Sequence, residues 1–187
     1  MLPPIIDFDA IFVPDNAARV PMVAAALAYE EFAIGGFRPK RDMTALPLLG
    51  LNGWNNPRVA ENGGLYVRNS AFVDAFTNFG DENEQTLQFV TDFIERNDRS
   101  PVLFEALAYE VGKILGAAID SDPTNRTEMR EALSVSQLTN SIAGGGSFTE
   151  NGEVSRTMRV LTITDEGLVP WIDPDAEEPT TGEVSPE

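Results

Sequence analysis

The sequence predicts an α/β fold built from βαβ units. Three observations predict it: short apolar runs ended by turn residues, intervening segments with helical apolar spacing, and crossovers long enough for parallel strand pairing.

The first strand is expected within residues 5–14, where Ala10-Ile11-Phe12-Val13 is an apolar run closed by Pro14-Asp15-Asn16, a turn and helix-start signal. Val20, Val23, Ala24 and Leu27 then recur at helical spacing to about Tyr29, with Pro21 tolerated only near the first turn. Residues 35–45 are basic and glycine-bearing and read as a loop. Residues 46–51 form a second buried strand that ends in Asn52-Gly53. Strands over 9–13 and 47–51 are therefore expected side by side and parallel, with a helix over 17–29 between them.

A short helix follows over 56–64, then an extended segment over 65–74 with Ala71-Phe72-Val73 at its centre. Residues 82–97 read as a helix with Phe89, Val90, Phe93 and Ile94 on one face. Pro101 opens the next helix, whose Leu103, Leu107, Val111, Ile114 and Ala118 form an apolar stripe with Tyr109 in the core. Thr124 or Asn125 caps a further helix to about Leu133. Asn151-Gly152 signals a hairpin turn within residues 149–153, and residues 157–164 alternate as a strand. Residues 173–187 are acidic and rich in Pro, Thr and Ser, so a disordered acidic tail is expected.

A chain of 187 residues, 42% apolar, is long enough for one domain with a sizeable core. Its net charge of −17 excludes nucleic acid and anionic membrane surfaces, which reward a basic stripe through counterion release. With no Cys and no His, Ser-His-Asp and Cys-His nucleophiles and every His- or Cys-ligated zinc site drop out. No apolar run approaches the ~20 residues of a membrane span. Gly144-Gly145-Gly146-Ser147 lacks the lysine of a phosphate loop and reads as a flexible crossing segment. The acidic clusters lack the ligand order of a calcium loop, and a carboxylate-pair hydrolase has no other support. No metal and no cofactor are expected.

Four blocks, in order, carry a resemblance: Asp7-Phe8-Asp9-Ala10-Ile11-Phe12-Val13-Pro14, Leu48-Leu49-Gly50-Leu51-Asn52-Gly53-Trp54-Asn55, Ala106-Leu107-Ala108-Tyr109-Glu110, and Phe148-Thr149-Glu150-Asn151-Gly152-Glu153-Val154. Together they resemble the second half of the type I periplasmic-binding fold, found in branched-chain amino-acid binding proteins and penicillin-binding-protein activator lipoproteins. The resemblance implies a partial fold with Rossmann-like βαβ units from two lobes, together forming one partial domain over 1–172. Residues 5–60 would belong to the second lobe, 65–135 to the first, and 140–171 would return to the second. The remaining half of each lobe would lie outside this chain. A fragment is expected, one that pairs with a separately encoded N-terminal part or forms a homodimer.

In open α/β sheets, ligands lie beyond the carboxyl ends of the strands, where Asp15, Asn16, Asn52 and Trp54 stand here. By resemblance, Asn16 falls near the position of an aromatic residue in amino-acid binders and Asn52 near that of an acidic one. Each also has a plainer reading: Asp15 and Asn16 as helix caps, Asn52-Gly53 as a turn, Trp54 as packing under the loop. The resemblance implies non-catalytic binding of a small polar solute between two lobes, as in ABC transporter substrate-binding proteins. The alternative is a protein-interaction module acting on a cell-wall enzyme. Either role implies a periplasmic or lipid-anchored location at the cell envelope.

Overall fold

The computed structural model describes residues 6–40, 42–80, 83–136 and 141–172. The segment expected to be an acidic tail lies outside them. In chain order the strands are β1 (Ile11–Phe12), β2 (Leu48–Gly50), β3 (Ala71–Asp74), β4 (Ser147–Phe148), β5 (Val154–Ser155), β6 (Arg159–Thr164) and β7 (Gly167–Pro170). The helices are α1 (Val20–Tyr29), α2 (Arg58–Gly63), α3 (Glu84–Asn97), α4 (Leu103–Asp120) and α5 (Arg126–Ser134).

One sheet has the order β1-β2-β3-β6-β7. β1 pairs with β2 in parallel, Ile11 opposite Leu48, and β2 with β3, Leu49 opposite Ala71. The expected parallel pair joined by a helix is therefore present. β6 returns antiparallel to β3, and β7 antiparallel to β6. β7 was not expected from the sequence. The two residues between Thr164 and Gly167 make a tight hairpin, with Gly167 at a φ of 115° that a side chain would strain.

Because residues alternate along a strand, Leu48, Phe72, Leu161 and Ile163 share one buried face. α1 and α2 cover that face, and α1 brings Val20, Ala24 and Ala28, spaced four apart, into the same core. On the opposite face Phe12, Leu49 and Val160 are exposed.

A second core gathers Phe76, Phe89, Ala106, Ile142 and Ala143. Here α3 and α4 pack on each other, and Phe89 lies against Phe93 and Tyr109 at ring separations of 5.9 and 4.8 Å. The caps are local and legible. The Asn83 side chain accepts from the Gln85 N–H, and Asn125 accepts from Thr127 and Glu128 N–H.

Three expectations need correction. The extended segment over 65–74 was assigned to the other lobe, yet β3 lies beside β2 in the five-stranded sheet, so the chain leaves that sheet only after Asp74. Tyr109 is not core: it is 43% exposed, stacking on Phe89 with Lys113 over its ring. Val111 of the predicted stripe is exposed too, while Ala106, Glu110 and Ala118 face inward. The apolar arc of α4 is thus wider than one core needs. One side is covered, and Phe104, Val111, Leu115 and Ile119 lie open on the other.

The triglycine is also not a loose connector. Gly144, Gly145 and Gly146 all have positive φ, and a Cβ on Gly144 or Gly146 would collide with the carbonyl oxygen of Thr157 or Ser155. The chain is threaded tightly past its own returning strand, and Gly144 accepts from the Thr157 N–H at 2.9 Å. Beside it Glu110 is buried. Its carboxylate accepts from the Ser141 hydroxyl, the Ala143 N–H at 2.9 Å and the Arg156 guanidinium. Arg156 also donates to the Ala143 carbonyl at 2.6 Å. Burial pushes the Glu110 carboxyl up, but the Ser141, Arg156 and Ala143 donors together outweigh it and hold it below its ordinary value.

Candidate functional site

The carboxyl ends of β1, β2 and β3 lie side by side, and two side chains stitch them together. Trp54, in the short 3-10 turn Asn52–Trp54, is fully buried across the end of β2. Its indole N–H donates to the Val13 carbonyl at 3.1 Å, and its ring lies 6.2 Å from Phe72. Gly50 makes this possible, because a Cβ there would run into the indole. Asn55 ties the next gap: its amide donates to the Asp74 carboxylate at 2.8 Å and to the Phe76 carbonyl at 2.9 Å. Between the first two loops, the Ala17 N–H donates to the Gly53 carbonyl at 2.9 Å, and a Cβ on Gly53 would come within 2.9 Å of the Asp15 carbonyl oxygen.

These contacts place the four residues picked from the sequence. Asp15 accepts from the Asn16 N–H and pairs with Arg19 at 3.8 Å, while Asn16 accepts from the Ala18 N–H. Both side chains are engaged in the turn that precedes α1, and the helix itself, with Arg19 as its N-cap, has no side-chain cap. Trp54 supports the loops from below. Asn52 alone of the four lines the groove described next, and its side chain has no hydrogen-bond partner among the described residues.

That groove, of about 560 Å³, opens where the two cores meet. From the sheet it takes Asn52, Asn55, Asn56 and Asp74, from the segment after β3 Phe76, Asn78 and Phe79, and from the start of α4 Ser100, Leu103 and Phe104. Glu166 and Leu168 of the β6–β7 hairpin close one side. The volume is that of a small-molecule site.

Asp74 was missed in the sequence. Burial raises its carboxyl above the ordinary value, and the hydrogen bonds from Asn55, Phe76 and Ala75 only partly offset this. Among the described residues no group of three or more acidic side chains is arranged to hold a metal ion. No helix among them is long and apolar enough to cross a membrane.

Parallel βαβ units, two antiparallel return strands and a second helical core entered from the sheet's carboxyl edge define the fold as part of a type I periplasmic-binding-protein fold. Among solved structures the chain is similar to the leucine binding protein LivK of Thermotoga maritima, with a TM-score of 0.66, 20% identity, and cover of 89% of this chain and 45% of that one. It is similar also to the branched-chain amino acid substrate binding protein LivJ of Streptococcus pneumoniae, solved with isoleucine, at a TM-score of 0.62, 19% identity, and cover of 87% and 43%. A third is a solute binding protein of R. palustris in complex with benzoate, at 0.60, 14% identity, and cover of 87% and 42%. The chain spans less than half the length of each of these structures. No protein-family model matches the sequence, and no curated protein does either.

Proposed function

We propose that the chain is a solute-binding module that holds a small polar molecule in the groove between its two cores, without covalent chemistry. The observation that carries this reading is the position of the groove. Loops from the carboxyl edge of a parallel sheet converge there with the start of a helix from the other core. In this reading the five-stranded sheet with α1 and α2 is part of one lobe, and α3 to α5 part of the other. Asn52 is the contact residue among those found in the sequence, Asp15 and Asn16 shape the neighbouring loop, and Trp54 fixes its height. The setting is the cell envelope, alongside an ABC-type transporter.

A second reading, a protein-interaction module, is favoured by one feature, the open apolar side of α4. The two separate in one experiment. Thermal melting is followed against a panel of amino acids, aromatic acids and sugars, because a ligand bound only by the folded state raises the transition with its concentration. A saturable rise with at least one compound, lost in Asn52→Trp, which fills the groove, is expected. No rise with any of them refutes solute binding.

A further inference from the structure

We infer that two copies of this chain associate about a two-fold axis, α4 of each copy covering the bare face of the five-stranded sheet of the other. The sheet side of this contact follows from strand register. Phe12, Leu49, Ala71, Thr162 and Val169 stand opposite one another in a row across all five strands, and the pair Val73 and Val160 lies beside it. These side chains point away from α1 and α2, and each is exposed or half-buried. Parallel strands are ordinarily buried under helices on both faces, and here α1 and α2 cover one.

α4 presents the complementary shape. Ala108, Val111, Leu115 and Ile119 lie exposed along one arc of the helix. Between Ala108 and Ile119 the charged residues are Glu110, which is buried, and Lys113, which is turned towards α3 and donates to Gln85 at 3.0 Å. The stripe runs about 17 Å at about 1.5 Å per residue, and the six residues of β6 run about 20 Å at about 3.3 Å per residue. A helix about 10 Å across spans two strands, so α4 seated along β6 also covers β3, the middle of the sheet. In a chain with 23% charged residues and a net charge of −17, none of the side chains named on the two open surfaces carries a charge. Two such acidic molecules repel each other unless uncharged surfaces meet. A reciprocal pair covers both surfaces on both copies, whereas a one-way contact leaves one of each bare and adds further copies.

The chain contains no Cys, so introduced thiols are the only ones present. Full-length Leu115→Cys and Val160→Cys, both at exposed positions, are mixed, allowed to exchange subunits and treated with a short bismaleimide. A crosslinked pair holding one copy of each variant, absent when either variant is treated alone, is expected, with the mass of a dimer in light scattering. Val160→Glu is expected to weaken the dimer more than tenfold, because α4 offers the buried carboxylate no partner. Crosslinking of Leu115→Cys alone would set α4 against α4 and overturn the inference, as would crosslinking of Val160→Cys alone, which sets sheet against sheet. A mixture that yields no mixed pair, a mass that grows past the dimer, or a monomer at every concentration would overturn it too. So would a Val160→Glu protein that dimerises as the wild type does.

Discussion

Arg156→Met tests the buried node that ties α4 to the returning chain. The substitution keeps much of the side chain's volume and removes the guanidinium, leaving the Glu110 carboxylate buried with only the Ser141 hydroxyl and the Ala143 N–H. Removing one partner of a buried ion pair costs about 3–5 kcal/mol, because the other charge stays desolvated. At roughly 2–4 °C per kcal/mol for a chain of this size, Tm should fall by about 6–20 °C. A double variant, Glu110→Leu with Arg156→Met, should regain most of that loss, since an apolar pair carries no desolvation cost. The pH dependence supplies a second readout. The folded-state pKa of Glu110 lies below the ordinary 4.5, so its contribution is fully present above that pH and is lost as pH falls through the folded value. Glu110→Gln should therefore flatten the acid limb of the stability curve. The assay is calorimetric or circular-dichroism melting at neutral pH and below pH 4.5. An Arg156→Met protein melting with the wild type, or a double variant no better than the single one, would refute the account of the node.

Three further outcomes follow from the packing. Gly50→Ala should destabilise by about 1–3 kcal/mol and disturb the near-UV signal of Trp54, because the new methyl enters the indole's space; an unchanged melt and signal would show that the stitch is loose. Gly112→Ala on α4 should stabilise by roughly 1 kcal/mol, since the added methyl meets no atom within 4 Å. With the open stripe of α4 the chain should also self-associate in light scattering as concentration rises, and Val111→Glu with Leu115→Glu should return it to the monomer.

What was legible in the sequence was whatever depends on near neighbours along the chain. The Ile11-Phe12-Val13 run, Pro21 at the head of α1 and Asn125 at the head of α5 act within a turn of themselves, and each sits where its local chemistry puts it. β7 escaped notice because four residues ending in Pro170 have no periodicity until β6 lies beside them. Trp54 was ambiguous for a different reason. Whether it faces solvent or core is decided four residues earlier, by the missing side chain of Gly50. Asp74 and Glu110 looked like ordinary acidic residues, since their burial and their partners, up to 46 residues away, exist only in three dimensions. Tyr109 failed the other way: an apolar helix suggests core, but the residue stands at the edge of the α3–α4 contact, its ring on Phe89 and the rest of it open to solvent.

The triglycine carries a consequence for how the molecule can move. Glycine is usually credited with freedom, but here the absence of side chains at 144 and 146 is consumed in letting two stretches of backbone pass at van der Waals distance. A segment clamped on both sides, with its neighbours bonded to Glu110 and Thr157, is a poor axle. Any swing of one core against the other has to be taken up by torsions outside it, after β3 and just before β6. Residues 144–146 would travel as cargo with α4, so the pivot of this molecule lies away from its most glycine-rich stretch.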